Sequence, residues 1–392
     1  MNGLAFSVQE YRERRGRVRA AMAERSIDVL YVTSPANLQY LTGYEAVWFP
    51  PRLPVAVALV RDAEPVVCFD WTRHDGYVRT RVLCDDAVFF QYGQSTSVVL
   101  DAFRTRGWLD AAIALEWNSP TPTGAVISEL AERLRSAGAR IVSGDWVVDG
   151  VRLYKSAAEL ERIRSAAVIA DHAFERLREY LRPGLSELEV SAHLGSLLAQ
   201  EGSEIAATPP LVSAGPEAWT DVHAFPGRRT LELGDVVSID ACGVVDRYHA
   251  NLSRTYGLGE ASTLARELLE LAAGAVDELV RVASPGEGPE AAAAAAERHV
   301  RERVANKRIW WIGGYALGLG VPPSWVGHTY LANDGPERCE WRPGYVSNFE
   351  VILYDEDEGF AAATIDTVLM TATGLEVLSR LPRAMIDIPI TA

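Results

Sequence analysis

Positive charge and cysteine are both scarce in this chain. Against 53 aspartates and glutamates, its 392 residues hold 38 lysines and arginines, a formal net charge of −15. That balance disfavours phosphate backbones and anionic membranes, so neither nucleic acid nor a membrane is an expected partner. The four cysteines (Cys68, Cys84, Cys242 and Cys339) are far apart and form no CxxC spacing. Reduced thiols in a cytoplasmic protein are the expectation, not a disulfide framework. No apolar run approaches the roughly 18 residues of a membrane span. The opening stretch MNGLAFSVQEYRERR lacks a basic segment followed by an apolar one, so no secretory signal is expected.

What the chain does have is ordinary globular composition, 48% hydrophobic and 23% charged, with length enough for two domains. Ser7-Val-Gln-Glu10 is a capping-box pattern opening an amphipathic helix through Tyr11, Val18, Ala21 and Met22. Short β-rich runs follow at Val29 to Val32, Val55 to Val60, Pro65 to Phe69, Ala87 to Phe90 and Ala112 to Leu115, alternating with helical stretches such as Ser128 to Ala137. This predicts an α/β N-terminal domain with a mixed sheet, residues 1–150. A second capping box, Ser156-Ala-Ala-Glu159, starts a long helix whose apolar residues run from Leu160 to Leu181 at spacings of three and four. Arg182-Pro-Gly stops it, and Ser186-Glu-Leu-Glu189 caps the next. A similar break at Ser284-Pro-Gly precedes an alanine-rich helix around Ala291 to Val300. The echo is compatible with an internally duplicated α+β half over residues 151–392, and equally with common helix punctuation.

Asp240 and Glu350 stand in apolar, strand-like runs (Val236 to Ile239; Phe349 and Val351 to Leu353). A carboxylate there is costly to bury unless paired. Either both are structural, held by Arg254 or backbone donors, or they recognise a cationic amidine, guanidine or amine. His223 precedes Phe225-Pro-Gly227 and, on position alone, is a surface histidine in a turn.

Spaced motifs along nearly the whole chain resemble the pita-bread family of prolidases, Xaa-Pro aminopeptidases and creatinases. Tyr31-Val-Thr-Ser-Pro-Ala-Asn-Leu-Gln-Tyr-Leu-Thr-Gly43 is similar to a segment near the start of creatinases and prolidases, and Gly234-Asp-Val-Val-Ser-Ile-Asp240 to the strand presenting the first Asp ligand. Asn251-Leu-Ser-Arg-Thr255, Gly314-Tyr-Ala-Leu-Gly318, Pro343 to Glu350 and Ile365-Asp-Thr-Val-Leu follow in the family's order. The resemblance implies a creatinase-type N-domain and a pita-bread C-domain with an internal pseudo-twofold. It also implies a loss. Where the peptidases hold two metals with two Asp, one His and two Glu, this chain offers Asp240, Asn251, Tyr315, Glu350 and Ile365. Two carboxylates are too few for a two-metal clamp, so no metal or other cofactor is expected.

Within the family, the metal-free creatinase-like and ectoine hydrolase-like members are the most similar: Arg247-Tyr-His249, Leu252-Ser-Arg-Thr255 and Pro322-Pro-Ser-Trp325 resemble ectoine hydrolase motifs. That likeness implies His223 as general base and acid, with Asp240 and Glu350 as the other catalytic groups. Tyr248, Ser253, Tyr315 and Trp325 are the implied substrate contacts. Trp48, Phe49 and Arg52 belong to a loop that, in creatinase-like dimers, reaches into the partner's site, where an arginine can bind a substrate carboxylate bidentately. The expected activity is metal-independent hydrolysis of a non-peptide C–N bond in a small zwitterionic metabolite by a homodimer with shared sites. A metal-dependent peptidase with a degraded site, a non-catalytic binding protein, and a lyase or cyclase using the same pocket remain as alternatives.

Overall fold

A computed structural model describes residues 3–45, 51–220, 222–304, 308–327, 329 and 340–389. The chain divides into two compact units, residues 1–152 and 153–392. The first contains α1 (Val8–Glu24), β1 (Val29–Val32), α2 (Pro35–Thr42), β2 (Ala56–Val60), β3 (Val66–Trp71), α3 (Asp75–Arg81), β4 (Asp86–Phe90), α4 (Ser95–Thr105), β5 (Ala112–Leu115), α5 (Gly124–Ser136), β6 (Arg140–Ser143) and α6 (Val147–Arg152). Its strands order as β4-β3-β2-β1-β5-β6. The β1–β2 and β2–β3 pairs are antiparallel, the rest parallel, which makes the sheet mixed. Ser7 accepts from the Glu10 backbone at 3.2 Å, closing the first turn of α1.

The second unit contains α7 (Ala157–Leu177), α8 (Glu187–Gln200), β7 (Leu211–Ala214), β8 (Val236–Val245), β9 (Tyr248–Leu258), α9 (Thr263–Val282), α10 (Glu290–Arg301), β10 (Ile309–Gly313), β11 (Val346–Asp355), β12 (Phe360–Met370), β13 (Leu375–Val377) and β14 (Ile386–Ile388). Ser156–Glu159 and Ser186–Glu189 both form complete capping boxes at the starts of α7 and α8. α7 ends at Leu177, one turn earlier than its apolar period suggests. Pro183 disfavours helical backbone before it, and Tyr180 and Leu181 instead bond to the Leu177 carbonyl in a closing turn that still buries Leu181.

The principal strands order as β10-β11-β12-β9-β8-β7, so two antiparallel trios meet at a β9–β12 seam. Each trio follows a pair of helices in sequence, α7–α8 before β7–β9 and α9–α10 before β10–β12. The order reads the same from either end, which is the pita-bread duplication. Among the described residues the helices cover one face. α7 and α8 pack on Val237, Ile239, Ala241, Leu252 and Tyr256, while α9 and α10 pack on Phe349, Val351 and Leu353. Gly243 permits the closest approach, since a Cβ there would collide with the Ala166 carbonyl of α7. Side chains alternate across a strand, so the complementary residues face away from the helices.

Candidate active site

Two turns set the registers that build the site. Asp246 and Arg247, both at positive φ, form the two-residue connection between β8 and β9. Glu204 accepts from both of their backbone N–H groups, at 3.1 and 2.9 Å. Val245 then pairs with Tyr248, and counting back places Asp240 opposite Ser253. The β11–β12 hairpin pairs Asp355 with Phe360 and therefore Glu350 with Ile365. Across the seam Ile365 pairs with Ser253. One row of the helix-free face accordingly reads Leu211, Asp240, Ser253, Ile365, Glu350, Gly313.

The next row along this face holds Cys242, Asn251, Thr367 and Asn348. Its two asparagines join the two acids. Asn251 Nδ2 donates to Asp240 Oδ1 at 2.6 Å. Asn348 Nδ2 donates to Asn251 Oδ1 at 3.0 Å and to Glu350 Oε1 at 2.6 Å, while Asn348 Oδ1 accepts from the Tyr315 backbone at 2.9 Å. Trp325 Nε1 donates to Tyr315 Oη at 3.0 Å. An indole N–H can only donate, so the tyrosine oxygen accepts there and its own proton is directed to Glu350, with which it also hydrogen-bonds.

Both acids are weakened. Burial pushes the Glu350 carboxyl up to about 8, the Asp240 charge adds to the effect, and the bonds from Tyr315 and Asn348 oppose it. Burial pushes Asp240 up to about 7 against the bond from Asn251. Asp240 keeps partial solvent contact through the pocket, whereas Glu350 is buried behind the floor. Burial and the two nearby carboxylates also raise the Tyr315 phenol well above its usual value. Near neutral pH the acid pair therefore holds at least one proton and can both give and accept one.

A small pocket, with room for about one water-sized group, opens over this row. Asp240, Ser253, Ser238, Ser213 and His223 form its polar side, while Val222, Ile352 and Ile365 contribute to an apolar wall. His223 is exposed at the rim, its ring edge-on to Trp310 with centroids 4.9 Å apart.

The structure thus gathers Asp240, Glu350, Ser253, Tyr315 and Trp325 about one floor, with His223 at its edge. Tyr248 lies elsewhere. It is an odd number of residues from Ser253 along β9, so it points to the helix face, where its hydroxyl donates to Glu159 of α7 at 2.8 Å. That position removes it from the expected substrate contacts. Arg52 is exposed within the first unit. Trp48 and Phe49 fall outside the described residues. Asn348 was missed as a site residue. Its signal is the Asn348-Phe-Glu350 spacing, which puts it on the same face as Glu350.

The residues present do not fit a two-metal clamp. Ile365 offers no donor, Asn251 turns its N–H₂ group toward Asp240, and the Tyr315 phenol is held protonated. Among the described residues no cluster of three or more His, Cys, Asp or Glu side chains is placed to hold an ion.

A creatinase-type N-terminal unit and a pita-bread unit are the two parts of a family of hydrolases. Residues 161–372 match the model for metallopeptidase family M24, and residues 14–154 match the creatinase/prolidase N-terminal domain. The chain belongs to the M24 family. It is 26% identical to ectoine hydrolase from Halomonas elongata over 97% of this chain and 98% of that protein. It is equally 26% identical to a probable dipeptidase from Mycobacterium tuberculosis, over the full length of both. The crystal structure of an X-Pro aminopeptidase from Thermotoga maritima superposes with a TM-score of 0.80 at 20% identity, covering 95% of this chain and 99% of that one.

Proposed function

We propose that the protein is a metal-independent hydrolase of a non-peptide C–N bond, in an amidine, guanidine or cyclic amide carried by a small zwitterionic metabolite. The observation that supports this best is the asparagine-bridged acid pair standing where a metal cluster would need five donors. A buried pair of weakened acids is a receptor for a compact cation, whose arrival restores their ionised form. The likeness to ectoine hydrolase supports the same direction.

In this reading the substrate's carbon–nitrogen group docks on Asp240, beneath His223. Water adds to the carbon, forming a C–O bond, and gives up a proton to His223. The C–N bond breaks with its electron pair leaving on nitrogen, and that nitrogen takes a proton from the imidazolium. Glu350, held by Asn348 and Tyr315, tunes the charge on Asp240. Arg52 of a second copy would bind the substrate carboxylate, which makes a homodimer part of the proposal.

The test is turnover of a panel of amidines, guanidino acids and cyclic amides by protein dialysed against EDTA and checked for residual metal by elemental analysis. Activity that survives chelation supports the reading. Chelator-sensitive cleavage of Xaa-Pro dipeptides, restored by Mn, Co or Zn, would overturn it in favour of the peptidase reading that the dipeptidase relative supports.

A further inference from the structure

Cys68 and Cys84 share no sequence motif, yet the N-terminal sheet brings their side chains together. Cys68 lies in β3, which runs parallel to β4 with Val67 opposite Asp86 and Cys68 opposite Ala87. The residues leading into β4 are fixed beside β3. The Asp85 N–H donates to the Val66 carbonyl at 2.9 Å, and Asp85 Oδ2 accepts from the Val66 N–H at 2.8 Å. The Leu83 N–H donates to the Thr42 carbonyl at 2.9 Å, and the buried Arg15 guanidinium donates to the Leu83 carbonyl. Cys84 is thereby held against Cys68, and the two thiols hydrogen-bond to each other. Both are free thiols.

The pair is unsymmetrical. Cys68 is fully buried and Cys84 only half-buried. The bond from Cys68 holds the Cys84 thiol below its ordinary value, and the Arg15 charge assists, against burial and the carboxylates Asp85 and Asp86. The same bond, together with burial and the Cys84 and Asp70 charges, pushes Cys68 up. The Cys68 S–H is therefore the donor, and Cys84 is the sulfur that carries negative charge. A thiolate is the nucleophile in cysteine oxidation, and a second thiol in contact with it resolves the first product into a disulfide. Bond formation then draws the touching sulfurs to about 2 Å. Cys242, raised by burial and bonded to Asn251, lacks this activation.

We propose that Cys68 and Cys84 form a peroxide-responsive modification site in the N-terminal unit, a thiol pair that closes reversibly to a disulfide. The Cys84 thiolate attacks one oxygen of hydrogen peroxide. The O–O bond breaks, and the departing hydroxide takes a proton from solvent to leave as water. Cys84 is now a sulfenic acid. The Cys68 sulfur attacks the Cys84 sulfur, the S–O bond breaks, and the leaving oxygen takes the Cys68 proton as a second water. The two sulfurs lose two electrons between them, and the peroxide oxygens gain both. The new bond ties β3 to the connection between α3 and β4, whose Leu83 already bonds to the end of α2. Nothing in this chemistry depends on the hydrolytic reading.

The experiment exposes the whole chain, reduced and freed of reductant, to hydrogen peroxide at neutral pH, followed by intact mass and non-reducing peptide mapping. Wild type should lose two hydrogens, yield a linked Cys68–Cys84 peptide, and return to its reduced mass with dithiothreitol. Iodoacetamide should label Cys84 of the reduced protein at least about tenfold faster than Cys242, as thiolate character and exposure dictate. Cys68→Ala removes the resolving thiol, so dimedone should trap a sulfenic acid on Cys84. Cys84→Ser should give neither the link nor the trapped acid. The wild-type map decides the question even where a variant of buried Cys68 folds poorly. If peroxide leaves the wild-type pair unlinked, carries Cys84 to the sulfinic acid without the link, or joins a different pair of cysteines, the site is not a redox pair and the inference falls.

Discussion

Thr255 and Thr367 make the same pair of hydrogen bonds in opposite directions across the seam. Thr255 Oγ1 donates to the Ala363 carbonyl and accepts from the Ala363 N–H, at 3.1 and 3.2 Å. Thr367 Oγ1 donates to the Asn251 carbonyl and accepts from the Asn251 N–H, at 2.9 and 2.8 Å. Between them Arg254 Nη2 pairs with Asp366 Oδ1 at 2.7 Å, both fully buried. Ser253-Arg-Thr255 thus lies against Ile365-Asp-Thr367 as related halves of one joint. Each threonine supplies through its side chain what a longer ladder would supply through the backbone.

Breaking the charged part of this joint should be expensive. Asp366→Ala would leave Arg254 buried without its carboxylate and deprive Arg383, whose Nε lies 2.5 Å from Asp366 Oδ2. A loss of about 3–5 kcal/mol is expected, read as a lower melting temperature. Thr255→Val or Thr367→Val should cost about 1–3 kcal/mol, and the double variant should depart from additivity because both brace one seam.

Stability should fall as pH rises from about 5 to 8. Asp240 and Glu350 have folded values raised above their unfolded ones, so the native state binds more protons in that interval. Their contribution is fully present below the unfolded values near 4 and is lost as pH climbs through about 7 and about 8. Glu350→Gln should flatten the fall in a melting-temperature series. An identical slope in the variant would show that Glu350 is not the group responsible.

Asn348→Ala should move the upper acidic limb of the pH–rate profile to higher pH. It removes a bond that favours ionised Glu350, and also deprives Asn251 and the Tyr315 backbone of partners. A stability loss of about 1–3 kcal/mol is expected alongside. A stable variant with an unmoved profile would dissociate Asn348 from the acid pair.

On a hydrolysed substrate, His223→Ala should lower kcat by about 10²–10⁴-fold with a smaller change in KM, the usual scale of general acid–base catalysis. Asp240→Asn keeps the shape and removes the charge. It should mainly raise KM, because Asp240 holds the cation; loss of turnover at an unchanged KM would instead make Asp240 the attacking group in place of water. Near-wild-type kinetics in both variants would place the chemistry elsewhere.

Much of this molecule was legible in the sequence because its signals are local. Serine–glutamate capping boxes mark where α7 and α8 begin, and Val29 to Val32 and Ala112 to Leu115 coincide with β1 and β5. Motif order carried the fold and the acids Asp240 and Glu350. Facing was less legible. Tyr248 resembles a site residue by neighbourhood, yet its parity along β9 turns it to the helices. The asparagine bridge was not legible at all, since it depends on two hairpin registers meeting across the seam, a relation between residues about a hundred positions apart.

The mirror order of the second sheet gives each half one acid, with Asp240 on one side of the joint and Glu350 on the other. Were the joint to part, water would enter, the repulsion would relax, and both groups would revert to ordinary carboxylic acids. The acidity of the pair is therefore a gauge of closure: a spectroscopic titration of these two groups would report whether the halves are together without any probe attached to the seam.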